Sequence, residues 1–346
     1  MLLFGALTCS CKQSIMSPSS KNTVAIAYTF TSYILGIVSI VSPYWQLNIL
    51  GVIAIVHSLV TATNLAHEFI HGNIFKDRAA NVWWGQLMTH LNGACYAPWE
   101  NLSGYHLNHH LDRADVVRLD AIDYMKQLQP GLRSIYVALE WLYFPILEMD
   151  LRWRIILDPW LDADKRSRSS RNLLLMLYRT FAFGVLVWIS WKAIFLYFLA
   201  YISFVNVMRF VDAFQHTYEY VLVGQELIKR DRTYEQANTF SNLVSVRYPW
   251  LNLLLLNFGY HNAHHHNMSC PWHDLPALHS KLYGNSDSPG ERLRQRIVLP
   301  LPQLIFNYHH FRIARLFNGQ GEVNTATGID LNNFIGGVTV SFLTPP

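Results

Sequence analysis

The chain has 346 residues, of which 51% are hydrophobic and only 14% charged, with a formal net charge of +4 at pH 7. That length would accommodate two soluble domains, but the long apolar runs argue instead for one membrane-embedded unit. The mild positive balance names no partner, and the four cysteines, Cys9, Cys11, Cys95 and Cys270, form no C-x-x-C pair and give no disulfide framework.

Residues 1–22 read as a mobile tail, apolar at the start but without the basic flank or the length of a signal peptide. No charged side chain stands between Lys21 and Glu68. This interval holds two spans of about 20 residues, parted by the polar, turn-prone Ser42, Pro43, Gln46 and Asn48, so helices are expected over 23–42 and 46–66. The second runs without polar interruption into His67, Glu68, Phe69, Ile70 and His71. Four residues apart on a helix, His67 and His71 share a face. A polar cap is expected over 72–172, where Gly85, Gly93 and Pro98 break the helical pattern before a second cluster, His106, His109 and His110. Residues 134–149 are apolar but contain Glu140 and Pro145, which fits a helix lying in the interface better than a further span. The basic run Lys165, Arg166, Arg168 and Arg171 reads as an anchor to anionic lipid rather than a nucleic-acid site. Two more spans follow at 173–191 and 193–212, parted by Lys192, with Asp212 and His216 one turn apart beyond them. A second part of the cap, 213–318, contains an apolar piece too short to cross a bilayer, 250–258, and then His261, His264 and His265. Residues 319–346, rich in Gly, Asn and Thr, read as a loosely ordered tail.

Positive charge near the span ends sets the orientation. The first hairpin turn has none and the second has only Lys192, whereas Lys76, Arg78, Arg113, Arg118 and the basic run flank the other ends. Both turns therefore face out, and the termini and the cap face the cytosol. The first and third histidine clusters, each at the end of an apolar segment, fall on that same side, although charge and histidines are independent signals.

Eight clustered imidazoles exceed the roughly four ligands of one tetrahedral metal. They suit two ions, and an all-nitrogen set accepts iron, zinc, copper or nickel. His67, Glu68 and His71 also spell the H-E-x-x-H of zinc metalloproteases, in which Glu activates water. That reading leaves His106, His109, His110, His264 and His265 without purpose. A metal transporter would place its ligands near the bilayer midplane rather than at helix ends. His57, inside the second span, reads as a hydrogen-bonded core residue. His266 reads as a neighbour of the third cluster, and His90, His273, His279, His309 and His310 as cap residues without a metal role.

In this setting the chain resembles the integral-membrane fatty acid desaturase and hydroxylase superfamily, whose pattern is H-x(3,4)-H, H-x(2,3)-H-H and (H/Q)-x(2,3)-H-H. Tyr260, His261, Asn262, Ala263, His264 and His265, followed by Pro271, Trp272, Leu275, Pro276 and His279, look like the acyl-lipid branch. The resemblance spans 23–316. It implies a mainly α fold: four transmembrane helices in two hairpins, with a cytosolic helical cap holding a di-metal site. It implies two iron ions on His67, His71, His106, His109, His110, His261, His264 and His265, with His216 as a further ligand. Asp212 stands where the family has an Asn that reaches the metal through water; Asn257 is a rival for that role, and Glu68 is free to hold a ligand or water.

The implied activity is O2-dependent desaturation of an acyl chain, with two electrons from ferredoxin or cytochrome b5. The substrate would be an acyl-lipid or acyl-thioester, and the aromatic runs Trp83 and Trp84, 141–144, and Tyr197 and Phe198 are candidate tunnel walls. The chain would be multi-pass, in the endoplasmic reticulum of a eukaryote or the plasma membrane of a bacterium, with its active site facing the cytosol and no nucleic-acid partner. Hydroxylases, acetylenases and ketolases of the superfamily share the oxidant and differ in substrate pose. No His-Pro-Gly-Gly haem motif occurs in the chain.

Overall fold

The computed structural model describes residues 18–117, 120–218, 220–284 and 301–317. The chain is mostly helical, and four of its helices are long and apolar enough to cross a membrane. The expected tails at 1–17 and 318–346 lie outside the described residues.

The first hairpin is α1 (Pro18–Val41) and α2 (Trp45–His71). The first helix thus starts five residues before the expected position 23, and the second runs past residue 66 to take in both histidines of the first cluster. The hairpin closes tightly because Gly36 and Gly51 face each other. A Cβ on Gly36 would fall 2.7 Å from Ile55 Cγ1 and 3.0 Å from the Gly51 carbonyl oxygen. Small residues of this kind let membrane helices approach closely. Gly72, at φ 71°, stops α2 directly after His71, its amide returning to the Glu68 and Phe69 carbonyls.

The second hairpin is α8 (Ser169–Ile189) and α9 (Trp191–Asp212). Trp191 starts α9 instead of ending α8, because Ser190 is extended and its hydroxyl accepts from the Ala193 amide. Lys192 then donates to the Ser42 carbonyl and to Asn48 Oδ1, both at 2.7 Å. The two hairpin turns therefore lie together at one end of the bundle, and the histidine-bearing end of α2 and the end of α9 that leads to His216 lie at the other. Helix α2 packs against α1, α9 and α3 (Arg78–Asn92). Leu59, Val60, Ala200, Phe204 and Val205 fill the space between the hairpins. Helix α8 sits at the periphery with most of its apolar side chains exposed, and its Arg179 reaches the His90 carbonyl at 2.7 Å and Cys95 Sγ at 3.3 Å.

Between the hairpins come α4 (Trp99–Asp112), β1 (Asp115–Val117), α5 (Ala121–Gln127), α6 (Pro130–Trp141) and α7 (Ile146–Leu161). The single interface helix expected over 134–149 is instead broken in two. Tyr143 adopts φ 62° and Pro145 has no amide to continue the ladder. Glu140 does not face the interface: it is buried and accepts from Arg209 of α9 at 2.9 Å. After α9 come β2 (Tyr220–Leu222), α10 (Arg232–Ala237), α11 (His261–His266), α12 (Leu275–Tyr283) and α13 (Leu301–Phe311). Strands β1 and β2 pair in parallel, with Asp115 opposite Tyr220.

The apolar piece before the third cluster forms a 3-10 turn, Pro249–Leu255, lying along α2. There the Leu254 carbonyl accepts from His57 Nε2 at 2.9 Å and the Leu255 carbonyl from Asn64 at 2.9 Å. A carbonyl only accepts, so His57 carries its proton on Nε2 and takes the Tyr28 hydroxyl on Nδ1 at 2.5 Å. His57 is hydrogen-bonded as expected, but half-buried at the edge of the bundle rather than in its core.

Candidate metal centre

Four segments deliver histidines to one place. Helix α2 ends with His67 and His71, and α4 projects His106, His109 and His110 from its last two turns. The chain leaving α9 passes through His216, and α11 is built almost wholly of the third cluster. Two features aim α11. Leu256 and Asn257 are left-handed, at φ 46° and 57°, and reverse the chain after the 3-10 turn. Glu68 Oε2 accepts from the Trp272 amide at 3.0 Å and from Asn73 at 3.3 Å, tying α2 to the segment after α11.

The nitrogens fall into two groups. In the first, Nε2 of His71 lies 2.8 Å from that of His106, His106 lies 3.2 Å from His110, and His110 lies 3.2 Å from His264. His67 belongs to this group, all of whose ligand atoms lie within 4.8 Å of one another. In the second, His216 Nε2 lies 3.1 Å from that of His109 and 2.7 Å from that of His261. His265 joins His109 and His216 within the same 4.8 Å limit. The nine histidines expected as ligands therefore all converge, and His216 is among them.

Protons alone do not account for these contacts. A neutral ring nitrogen has either one proton or one lone pair, yet His106, His110 and His216 each have two Nε2 neighbours. His265 donates from Nδ1 to Glu235 Oε1 at 3.1 Å, which leaves a bare lone pair on a buried Nε2 with no hydrogen-bond partner. Ligands about 2.1 Å from a transition metal and a right angle apart would stand about 3 Å from each other. The donor set fits two metal ions.

Electrostatics point the same way. Burial first, then neighbouring imidazoles, push His106, His110, His261, His264 and His265 well below the usual histidine range. His216 moves in the same direction, its burial and its neighbours His109, His261 and His110 outweighing a backbone bond at Asn238. These rings are neutral near pH 7 and have lone pairs available for a metal. His109 is the exception. Burial lowers it, but the Asp115 carboxylate, 2.9 Å from Nδ1, and the charge of Asp212 outweigh that and raise it.

The residues expected to assist the ligands occupy varied places. Asp212 closes α9 and acts on His109 through its charge. Buried Asn257 donates to the Trp272 carbonyl at 3.1 Å. Glu68 Oε1 lies 3.3 Å from His67 Nδ1. His266 stands outside the cluster, with its carbonyl accepting from Arg232. Three participants escape the sequence reading: Asp115, Glu235 and Arg113, whose Nε donates to Glu235 Oε2 at 3.2 Å. Asp115 follows the second cluster closely enough to have been suspected, but no spacing connects Glu235 with a histidine 30 residues later.

The fatty acid desaturase family profile matches residues 43–297 and so takes in every one of these histidines. The chain belongs to the fatty acid desaturase family. No individually curated protein matches it. Membership makes this desaturase-family chain a membrane-bound oxidoreductase acting on fatty acids, of a family that is typically di-iron. It also accounts for an H-E-x-x-H sequence whose Glu68 is occupied by Trp272 and Asn73 and whose histidines have three further histidines around them.

Proposed function

We propose that the protein introduces a C=C bond into the acyl chain of a lipid or acyl-thioester, using O2 and two electrons from ferredoxin or cytochrome b5. The observation that carries this reading is the pair of convergent imidazole groups at the end of the membrane bundle. His67, His71, His106, His110 and His264 would hold one iron, and His109, His216, His261 and His265 the other. When bound, the two irons supply the O2-derived oxidant that unactivated methylene C–H bonds require. The balance is two hydrogens from the acyl chain, two external electrons and two protons from water, with O2 leaving as two waters.

The chain's own residues position the reactants. Phe258 places an apolar ring beside both groups, 4.9 Å from the His67 ring and 5.3 Å from that of His261, a surface suited to methylenes. A cavity of about 200 Å³ beside α4, lined in part by Asn101, Tyr105, Lys165, Arg168 and Asn172, suits the polar end of the substrate. Lys165 is already paired with Asp158 at 2.6 Å, which leaves Arg168 as the cation for it. The aromatic runs expected as tunnel walls support this reading less. Trp84 packs with Phe30, and Tyr197 is core, hydrogen-bonded to Tyr33, while Trp83, Trp141 and Phe198 are surface residues. The cap would face the cytosol, as the basic flanks imply.

Mass spectrometry of host lipids and acyl esters after co-expression with a matching electron donor tests the proposal. A product two mass units lighter, dependent on O2 and reductant, supports it. A hydroxylated product would move the chain to the hydroxylase branch, and anaerobic peptide cleavage would remove the reading.

A further inference from the structure

The two histidine groups are held from outside in different ways. In the group of His109, His216, His261 and His265, three rings have a partner on Nδ1. Asp115 Oδ1 lies 2.9 Å from that of His109, Glu235 Oε1 3.1 Å from that of His265, and Thr239 Oγ1 3.4 Å from that of His216. The fourth, His261, has a buried Nδ1 with no hydrogen-bond partner, as do His110 and His264 of the other group, in which Glu68 Oε1 lies 3.3 Å from His67 Nδ1. The Asp115 and Glu235 carboxylates come from different elements, β1 and α10, and Arg113 joins them. Its left-handed backbone, φ 53°, turns the chain from α4 toward β1. Its side chain donates to Glu235 Oε2 at 3.2 Å and to the Arg230 carbonyl at 2.9 Å. Glu235 is also within 4.8 Å of the His110 ligand nitrogen, but its hydrogen bond goes to His265.

A carboxylate on Nδ1 fixes the tautomer that leaves Nε2 bare, locks the ring's orientation and makes the ring a stronger donor. We propose that Asp115 and Glu235 are positioning residues that make the two metal positions unequal. The position served by His109, His216, His261 and His265 is preorganised by two carboxylates from separate elements, whereas at the other the carboxylate beside His67, that of Glu68, is itself engaged by Trp272 and Asn73. The inference rests on the two-metal reading above.

The test uses the full-length protein in detergent, loaded with 57Fe, and reads Mössbauer spectra together with iron loss to a chelator. Asp115→Ala and Glu235→Leu should each speed the loss of one iron about 10–100-fold, leave the other at the parental rate, and deplete the same Mössbauer doublet. Asp115→Asn, which keeps an acceptor for the His109 N–H, should retain both irons; a merely structural role for the charge would not show this rescue. Parental retention of both irons in the Ala and Leu variants, loss of both irons together, or depletion of different doublets would overturn the proposal. Should Glu235→Leu fail to fold, the partly exposed Asp115 decides the matter by itself. A parent chain holding fewer than two irons would instead refute the two-metal reading, and this inference with it.

Discussion

Gly85 offers a sharp mechanical test of how the second histidine cluster is aimed. A Cβ at this position of α3 would lie 2.1, 2.6 and 2.7 Å from three carbons of the Trp99 indole. Trp99 is the first residue of α4 and only 6% exposed, so the ring has little room to retreat, and it must move by more than an ångström to regain ordinary contact. Replacing Gly85 by Ala improves helix propensity by about 0.8–1 kcal/mol, while overpacking costs about 1–3 kcal/mol. The net expectation is a loss of up to about 2 kcal/mol. Because α4 carries His106, His109 and His110, the same shift should open the 2.8–3.2 Å spacings of the nitrogens and lower the metal content. Combining Gly85→Ala with Trp99→Leu should relieve the clash. Thermal unfolding in detergent and metal per chain, measured across the four-member cycle, report both effects. A Gly85→Ala protein equal to the parent in both, or a cycle additive within about 0.5 kcal/mol, would refute the reasoning.

Replacing His109 by Ala should abolish product formation while leaving membrane insertion intact, since insertion depends on the apolar spans; mass spectrometry and alkaline extraction of membranes check the two halves. Glu68→Gln keeps one acceptor oxygen for Trp272 and Asn73 and should lower turnover by about 10–100-fold without eliminating it, whereas a zinc protease would lose its general base and essentially all activity. In the metal-free protein, six clustered rings (His106, His110, His216, His261, His264 and His265) are held below the ordinary histidine value of about 6.5. The unfolded chain takes up protons there that the folded chain refuses, so stability is kept above about pH 6.5 and falls as pH drops below it, with the raised His109 and Glu235 opposing. A metal-free unfolding midpoint that is unchanged or higher at pH 5.5 than at pH 7.5 would contradict this. A cysteine introduced at exposed Ser167 should react with an impermeant maleimide only from the cytosolic side, and labelling from outside intact cells would reverse the topology.

Much of this was legible in the chain because its signals are strong and local. An uncharged interval from Asn22 to His67 has few solutions besides two spans, and histidines three or four apart on a helix end meet one ligand. The His67 and His71 pair needed only the continuation of α2. The partners from afar were less legible. Glu235 reaches His265 because α10 packs against α11 in the folded chain, and nothing in the local spacing encodes that. The expected helix over 134–149 failed for a similar reason. Apolar composition indicated an interface, but the left-handed Tyr143 and the Glu140–Arg209 pair are set by packing against α9. Asp212 and Asn257 illustrate the remaining limit: sequence placed both near the cluster, but the Asn257 bond to Trp272 and the electrostatic action of Asp212 on His109 emerge only in three dimensions.

Elemental analysis of the purified, folded protein tests the central claim most directly. Nine histidines arranged as two groups predict two iron atoms per chain, both lost when His110 and His265 are replaced together by alanine. A single zinc atom per chain that survives removal of His109, His264 and His265 would contradict the account.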